Sequence, residues 1–273
     1  AESDVYKRQA LSRITSAIDN TGEYSVGNIT PIEYDLNGNI KKMQRKRVID
    51  ADDNFTYHYD NGNKLMSLSG SKTGSFTYDA NGNMKTDTRK GITNIIYNHL
   101  NLPTRIDFGS NRLEYTYDAL GNKLQKKKVE NGTSTTTDYS GGYIYENNIL
   151  QQFSHPEGHV TNDNGTFNYV YSYVDHLGSV RLSYTDANND GVITPSTEIL
   201  QERNYYPGGL IQKGYNSNIV GVENNKKTYQ GQELEKELGK NTYAYQWRDY
   251  DPELLRFGKI DLSLIHISEP TRR

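Results

Sequence analysis

The sequence predicts an all-β protein, an antiparallel meander of β-hairpins that forms a curved strip or partial shell, with one short helix near 232–238. Three observations carry this. A tyrosine-led turn motif recurs at a near-constant interval, the runs between the turns are short and rich in Tyr, Thr, Ile and Phe, and aliphatic content is low. Only 33% of the 273 residues are hydrophobic even with 23 tyrosines included, which is little for a compact domain of this length and enough for a thin, two-faced sheet.

The recurrences are YDLNGNIK from Tyr34, YDNGNKLM from Tyr59, YDANGNMK from Tyr78, YNHLNLPT from Tyr97 and YDALGNKL from Tyr117, spaced by 25, 19, 19 and 20 residues. A fixed period of this size means one repeated structural unit. In the copies at Asp35–Gly38, Asp79–Gly82 and Asp118–Gly121, an aspartate precedes a glycine by three residues, the signature of a type I turn. With the glycine left-handed, the turn closes a three-residue hairpin loop carrying a G1 bulge. An Asn-Gly type I′ turn would suit two of these copies, but Leu120-Gly121 resists positive φ at both central positions. Positive φ is therefore expected at Gly38, Gly82 and Gly121. Asn98–Asn101 lacks the glycine and offers asparagine, the next most tolerant residue, at Asn101. The copy at Asp60 is one residue shorter, and Asn61-Gly62 suits a two-residue type I′ turn.

Between the turns, Ser75–Tyr78, Asn94–Tyr97 and Arg112–Tyr117 read as half-buried antiparallel strands. Tyrosine suits such a wall, since its ring packs on one side while its hydroxyl reaches water or a neighbouring backbone. From about Thr135 the pattern changes to longer aromatic strands, including Asn168–Val174, and Asp175 opens another turn over Gly178. Gln232–Leu238 reads as a helix barely two turns long, stopped by Gly239.

A net charge of -3 supplies no basic field for nucleic acid, and no apolar run is long enough to span a membrane. There is no cysteine, hence no disulfide and no thiolate metal site. Catalytic constellations are thin, and the chain reads as a non-enzyme with no catalytic residue and no bound cofactor. His155 and His159 would need a helix to share a zinc ion, and Pro156 and Gly158 make the segment a hairpin tip with solvent-facing histidines. Lys126–Lys128 reads as a solvated strand end. Asp186–Ile193 has more metal content: Asp186, Asn188 and Asp190 occupy positions 1, 3 and 5 of a calcium loop, Gly191 its bend and the Val192 carbonyl its seventh position. Position 12 is Thr197, and the closing Glu198 comes one residue late; calcium is the one cofactor this loop suggests.

The repeated YDxxGN turns, followed in order by DHLGSVRL from Asp175, NYYPGGL from Asn204 and YAYQWRDYDPELLRF from Tyr243, resemble the Rhs (YD-repeat) family and its repeat-associated core. The resemblance runs from about Gly27 to Asp261. It divides the chain into YD-repeat hairpins at 10–134 and an Rhs repeat-associated core at 135–261. Residues 1–9 and 262–273 resemble translated adapter read-through, are set aside from fold reasoning, and are expected to pack weakly. The family's YYPFG stands here as Tyr206-Pro207-Gly208-Gly209, its GAR as Gln246-Trp247-Arg248, and the glycine expected before Arg256 is Leu255. What the resemblance implies is a shell segment of a bacterial polymorphic toxin, secreted or at the cell surface. Its partner would be a C-terminal effector of the same polypeptide, absent from this sequence. Asp261 falls in the segment where related shells cleave themselves, but the proline expected after it is Leu262, so this chain is expected to stay intact. A rival reading is a cell-surface carbohydrate-binding or adhesion module in which exposed tyrosines stack on surface glycans.

Overall fold

A computed structural model describes residues 5–8, 13–214 and 226–259, and it is all-β. Nine strands form a first sheet in which Val5–Arg8, Ile14–Ile18, Ser25–Val26, Ile40–Lys46, Asp53–Tyr59, Leu65–Gly70, Gly74–Tyr78 and Met84–Asp87 pair in chain order, with Glu33–Tyr34 beside Ile40–Lys46. Eleven strands from Asn94–Tyr97 to Ile199–Glu202, each hydrogen-bonded to the next, form the second. Glu233–Glu235, Thr242–Ala244, Asp249–Asp251 and Arg256–Phe257 form a third, of four strands. The pairings are antiparallel throughout, as short hairpin connections require. Residues 5–8, inside the segment read as a tail, pair with Ile14–Ile18. The boundary drawn at 134/135 falls inside the second sheet, within strand Thr133–Ser140, which pairs with Lys123–Glu130.

The repeat is visible as one loop built repeatedly. At Asp35, Asp60, Asp79, Asn98, Asp118 and Asp175 the residue's backbone N–H donates to the carbonyl four residues on, at 2.9–3.0 Å. Its side-chain Oδ1 accepts the N–H of that same fourth residue, at 2.8–3.1 Å. The acid or amide thus holds the loop that its own backbone closes, which is why Asp and Asn stand there. Gly38, Gly82, Gly121 and Gly178 take φ of 89°, 79°, 81° and 77°, and Asn101 takes 57°. The pairing register slips just before Tyr34, Tyr59, Tyr78, Tyr97 and Tyr117, so each motif tyrosine sits at a bulge.

The loop at Asp60 corrects one expectation. Gly62 is not left-handed, so there is no type I′ turn. Asp60 Oδ1 accepts from both Gly62 N (2.8 Å) and Lys64 N (3.1 Å), and the local Asx turn overrides the Asn-Gly preference.

Each motif tyrosine ties its unit to the preceding one. The hydroxyls of Tyr34, Tyr59, Tyr78, Tyr97 and Tyr117 donate to the carbonyls of Ile14, Ile40, Leu65, Met84 and Pro103 at 2.6–3.0 Å. For the last four, the acceptor is the first residue after the previous loop. The expected result for Tyr78→Phe is a loss of about 1 kcal/mol in urea unfolding, since the ring stays packed and one carbonyl loses its donor. A change below about 0.3 kcal/mol would show the tie to be incidental.

The core lies on one face. Val26, Met43, Phe55, Tyr57, Leu65, Leu68 and Phe76 are buried together with Tyr206 and Leu254, and Ile92, Ile95, Ile106, Leu113 and Tyr115 form a second cluster that Leu238 joins. The face is therefore covered by the C-terminal residues. Leu255, where the family pattern expects glycine, takes φ 55°, a conformation that costs a residue with a side chain about 1–2 kcal/mol.

The helix expected near 232–238 is absent. Glu233–Glu235 is a strand, and only Glu237–Gly239 turns, as a single 3₁₀ turn. A helix would point Glu233 and Glu235 in different directions, whereas a strand places both on one face, where lysines await them. Pairing with Thr242–Ala244 then fixes the strand.

Candidate functional site: two buried ionic clamps

The C-terminal sheet is held on the hairpin strip by two clusters of buried charge. The first is built on strands Ile40–Lys46 and Asp53–Tyr59 and on the 3₁₀ turn Thr88–Lys90. Arg45 is fully buried; its Nη1 meets Asp53 Oδ2 at 2.6 Å and its Nη2 donates to the Glu253 carbonyl at 3.2 Å. Arg47 Nη2 reaches the same Asp53 oxygen at 2.7 Å. Asp87 caps the 3₁₀ turn by accepting the Arg89 N–H at 3.0 Å, and so aims the Arg89 side chain. Arg89 Nη2 then contacts Asp87 (2.9 Å) and Asp251 (2.5 Å), while Nη1 contacts Glu253. Lys90 Nζ adds a second cation to Asp251 at 2.9 Å, and Lys72 pairs with Glu253. Burial opposes ionisation of Asp251, but Arg89 and Lys90 outweigh it and hold this carboxyl well below the usual aspartate range.

The second clamp is centred on Glu235, which is fully buried. Its oxygens pair with Lys123 and Lys240 and accept the Tyr115 hydroxyl at 2.9 Å. Lys126 Nζ lies 2.7 Å from Glu233 and 2.7 Å from Glu237, and Tyr139 Oη donates to Glu233 at 2.9 Å. Lys240 also meets Asp249 at 2.8 Å. Lys90 Nζ donates to the Lys240 carbonyl at 2.6 Å, which joins the two clamps. The lysines are held above their ordinary range and Glu235 well below its own, because the opposite charges overcome the desolvation of each.

Lys126 therefore corrects the reading of Lys126–Lys128 as a solvated strand end. Strand alternation sends Lys126 to the covered face and Lys127 to the other, where it approaches Glu114. Buried ion pairs of this density add little net stability over an apolar core, but they penalise any other seating, because a shifted sheet would strand unpaired charge. Their chemistry is recognition of one protein surface by another. Every carboxylate in them is matched to a cation, so none is free to act as a general base.

The other sequence-predicted positions are dispersed. His155 faces Gly158 across the hairpin and His159 pairs opposite Ser154, so the two histidines point to opposite faces and share no ligand. His159 is buried rather than solvent-facing, a correction that follows from the hairpin's inward face. Burial, with His155 and Arg203 nearby, pushes its imidazole down to about 4 from 6.5. A lowered histidine contributes stability that is complete above pH 6.5 and declines as pH falls toward 4. The expected loss is about 2 kcal/mol between pH 7 and 5 in urea unfolding, absent in His159→Gln; an identical slope in the variant would place the acid sensitivity elsewhere.

In the 186–198 loop, Asp186 accepts the N–H groups of Asp190 (3.1 Å) and Gly191 (2.9 Å), and Asp190 accepts that of Val192 (2.7 Å). Glu198 is buried, with its oxygens accepting from Ala187 and Thr194. Among the described residues no three His, Cys, Asp or Glu side chains converge as a metal cluster, and no helix is long and apolar enough to cross a membrane. Asp261 lies outside the described residues.

A family profile described as the teneurin YD-shell matches residues 7–140. No curated protein matches the chain. Among solved structures, the chain is similar to TcdB2-TccC3-TEV, with 15% identity over 97% of this chain and 18% of that one and a TM-score of 0.48. It is similar also to TcdB2-TccC3, with 15% identity over 96% and 18% and a TM-score of 0.46. A third is the Photorhabdus luminescens Tc holotoxin pore, with 15% identity over 94% and 16% and a TM-score of 0.44. The chain thus spans less than a fifth of the length of those chains. The matched residues contain all five tyrosine-led turns, and the loop geometry repeats from copy to copy, so this chain is an Rhs/YD-repeat protein.

Proposed function

We propose that the chain is a wall segment of an Rhs-type shell, a structural and non-catalytic part of a secreted or surface-exposed bacterial toxin, which encloses or presents a C-terminal effector of the same polypeptide. The observation that carries this reading is the clamped seating of residues 226–259 on one face of the strip. Both clamps use charge that only that seating satisfies, which suits a wall whose lining is fixed in place. The test is limited trypsinolysis of the full-length polypeptide from an uninterrupted clone, followed with a C-terminal epitope. Protection of everything after Asp261 until denaturant melts the strip is expected. Cleavage of that region within minutes in native buffer would overturn enclosure.

The 186–198 loop is proposed as a weak calcium site, with Asp186, Asn188, Asp190 and the Val192 carbonyl as ligands and Glu198 as the closing carboxylate once it turns from Ala187 and Thr194. Heat should appear in calorimetric titration at millimolar calcium, the range of weak extracellular modules, and vanish in Asp190→Ala. No heat in the native chain would dispose of the site.

A further inference from the structure

Where the N-terminal strands meet the end of the third sheet, a groove of about 610 Å³ is lined by four cations, Arg13, Arg248, Arg256 and Lys259. Among the described residues, no carboxylate lines it. Tyr34 and Tyr59 form part of its floor, and both pack against the first core cluster, so they face the covered side of the strip. The Arg13 guanidinium lies 4.9 Å over the Tyr34 ring and that of Arg256 lies 5.3 Å over the Tyr59 ring, which puts both on that side. Strand Ile40–Lys46 runs between the strands that carry the two rings. Two strand spacings therefore set these cations roughly 10 Å apart. Arg13 Nη1 rests against the first loop, where a Cβ on Gly38 would meet it at 2.8 Å. From that loop Asn37 and Asn39 donate to Asn63 Oδ1 at 3.2 and 2.8 Å, and Arg256 Nη2 donates to the Asn63 carbonyl at 3.0 Å. A row of side-chain amides thus joins one guanidinium to the other. The carboxylates nearby in sequence are engaged elsewhere: Asp35 accepts from Asn39 within its own loop, Glu33 pairs with Lys42, and Glu253 belongs to the first clamp.

We infer that this groove binds an acidic peptide segment in extended form, with its carboxylates on Arg13 and Arg256 and its apolar side chains against Ile32, Ile40 and Leu254. A guanidinium stacked on a ring keeps its N–H edge for an oxyanion, and its fork matches a carboxylate. Two such groups roughly 10 Å apart are too far separated for one small anion to bridge, whereas an extended chain rising about 3.3 Å per residue covers the gap in about three residues. Asparagine amides both donate and accept, as a peptide backbone requires. The apolar lining from Ile32, Ile40 and Leu254 favours a peptide over a phosphate chain, which has no apolar group to bury there. Arg248 and Lys259 add to the positive field that draws the segment in. Such binding needs no enclosed effector, since the cations line the groove whatever the strip surrounds.

The experiment is fluorescence anisotropy of the whole chain with a short labelled peptide in which glutamate alternates with valine and serine. The same peptide with glutamine for glutamate, and inorganic tripolyphosphate as a competitor and as a calorimetric ligand, run alongside. Saturable binding of the acidic peptide is expected, with the glutamine peptide at least tenfold weaker. Arg13→Gln and Arg256→Gln should each weaken the acidic peptide at least fivefold. Because Arg256 also holds the Asn63 carbonyl, urea midpoints check that both variants fold, and Arg13→Gln carries the test alone if Arg256→Gln does not. Arg105→Gln, which removes an exposed cation outside the lining, should leave affinity unchanged. No binding of the acidic peptide would overturn the inference, and so would equal binding of the glutamine peptide. Undiminished binding in Arg13→Gln, an equal loss in Arg105→Gln, or binding of tripolyphosphate without the peptide would do the same.

Discussion

Glu235→Ala is expected to destabilise the chain by about 3–5 kcal/mol, read as a shift of the urea midpoint. The carboxylate has no exposure and lies among Lys123, Lys126 and Lys240, with the Tyr115 hydroxyl donating to it as well. Its removal leaves Glu233, Glu237 and Asp249 to neutralise three buried ammonium groups from the edges. Most of the cost is therefore uncompensated charge and not lost packing, and a second substitution separates the two. Glu235→Met combined with Lys240→Met removes a cation together with the anion and should be less destabilising than Glu235→Met alone, because replacing both members of a buried pair costs less than orphaning one. If the double variant is the worse of the two, the site is held by packing. A loss under 1 kcal/mol for Glu235→Ala would mean that water reaches the cluster.

The parts of this structure that are legible in the sequence are those made by neighbours in the chain. Asp79, Asn81 and Gly82 specify their loop through an Asx acceptor, a tolerant asparagine and a left-handed glycine, all within five residues. The tyrosine before each turn is readable as packing, although the carbonyl it seeks, 13 to 20 residues back, is not. The clamps are illegible for the same reason taken further. Lys123 and Glu235 are 112 residues apart, and nothing in the run QELEKEL tells a solvated helix from a strand whose alternate glutamates face buried lysines. A signal does exist in retrospect. Glu233 and Glu235 share a period of two, a strand signal that their charge masks because charged side chains are ordinarily exposed. The burial of His159 is hidden in the same way, since a hairpin tip has an inward face as well as an outward one.

Arg89→Met is the substitution expected to release the first clamp, with a loss of about 3–5 kcal/mol near pH 7. Methionine keeps the apolar stem packed, so what disappears is the guanidinium shared by Asp87, Asp251 and Glu253. Three carboxylates are then left facing Lys90 and Lys72, and Asp87 keeps only its cap to the residue 89 backbone. The pH dependence identifies the cause. Asp251 is depressed below 3.8 and Glu253 below 4.5. Groups lowered in this way contribute stability that is fully present above their unfolded values, from about pH 5 upward, and that is lost as pH falls through the folded values. In Arg89→Met that contribution is already missing at neutral pH, so acid has less left to remove. The gap between native and variant urea midpoints should therefore be widest at pH 6–7 and should narrow by pH 3, where the unfolded chain has taken up protons that the native carboxylates still exclude. A gap of the same size at both pH values would assign the loss to the side chain's volume, and the charges at this seam would then be ornament to an apolar contact around Leu254 and Tyr57.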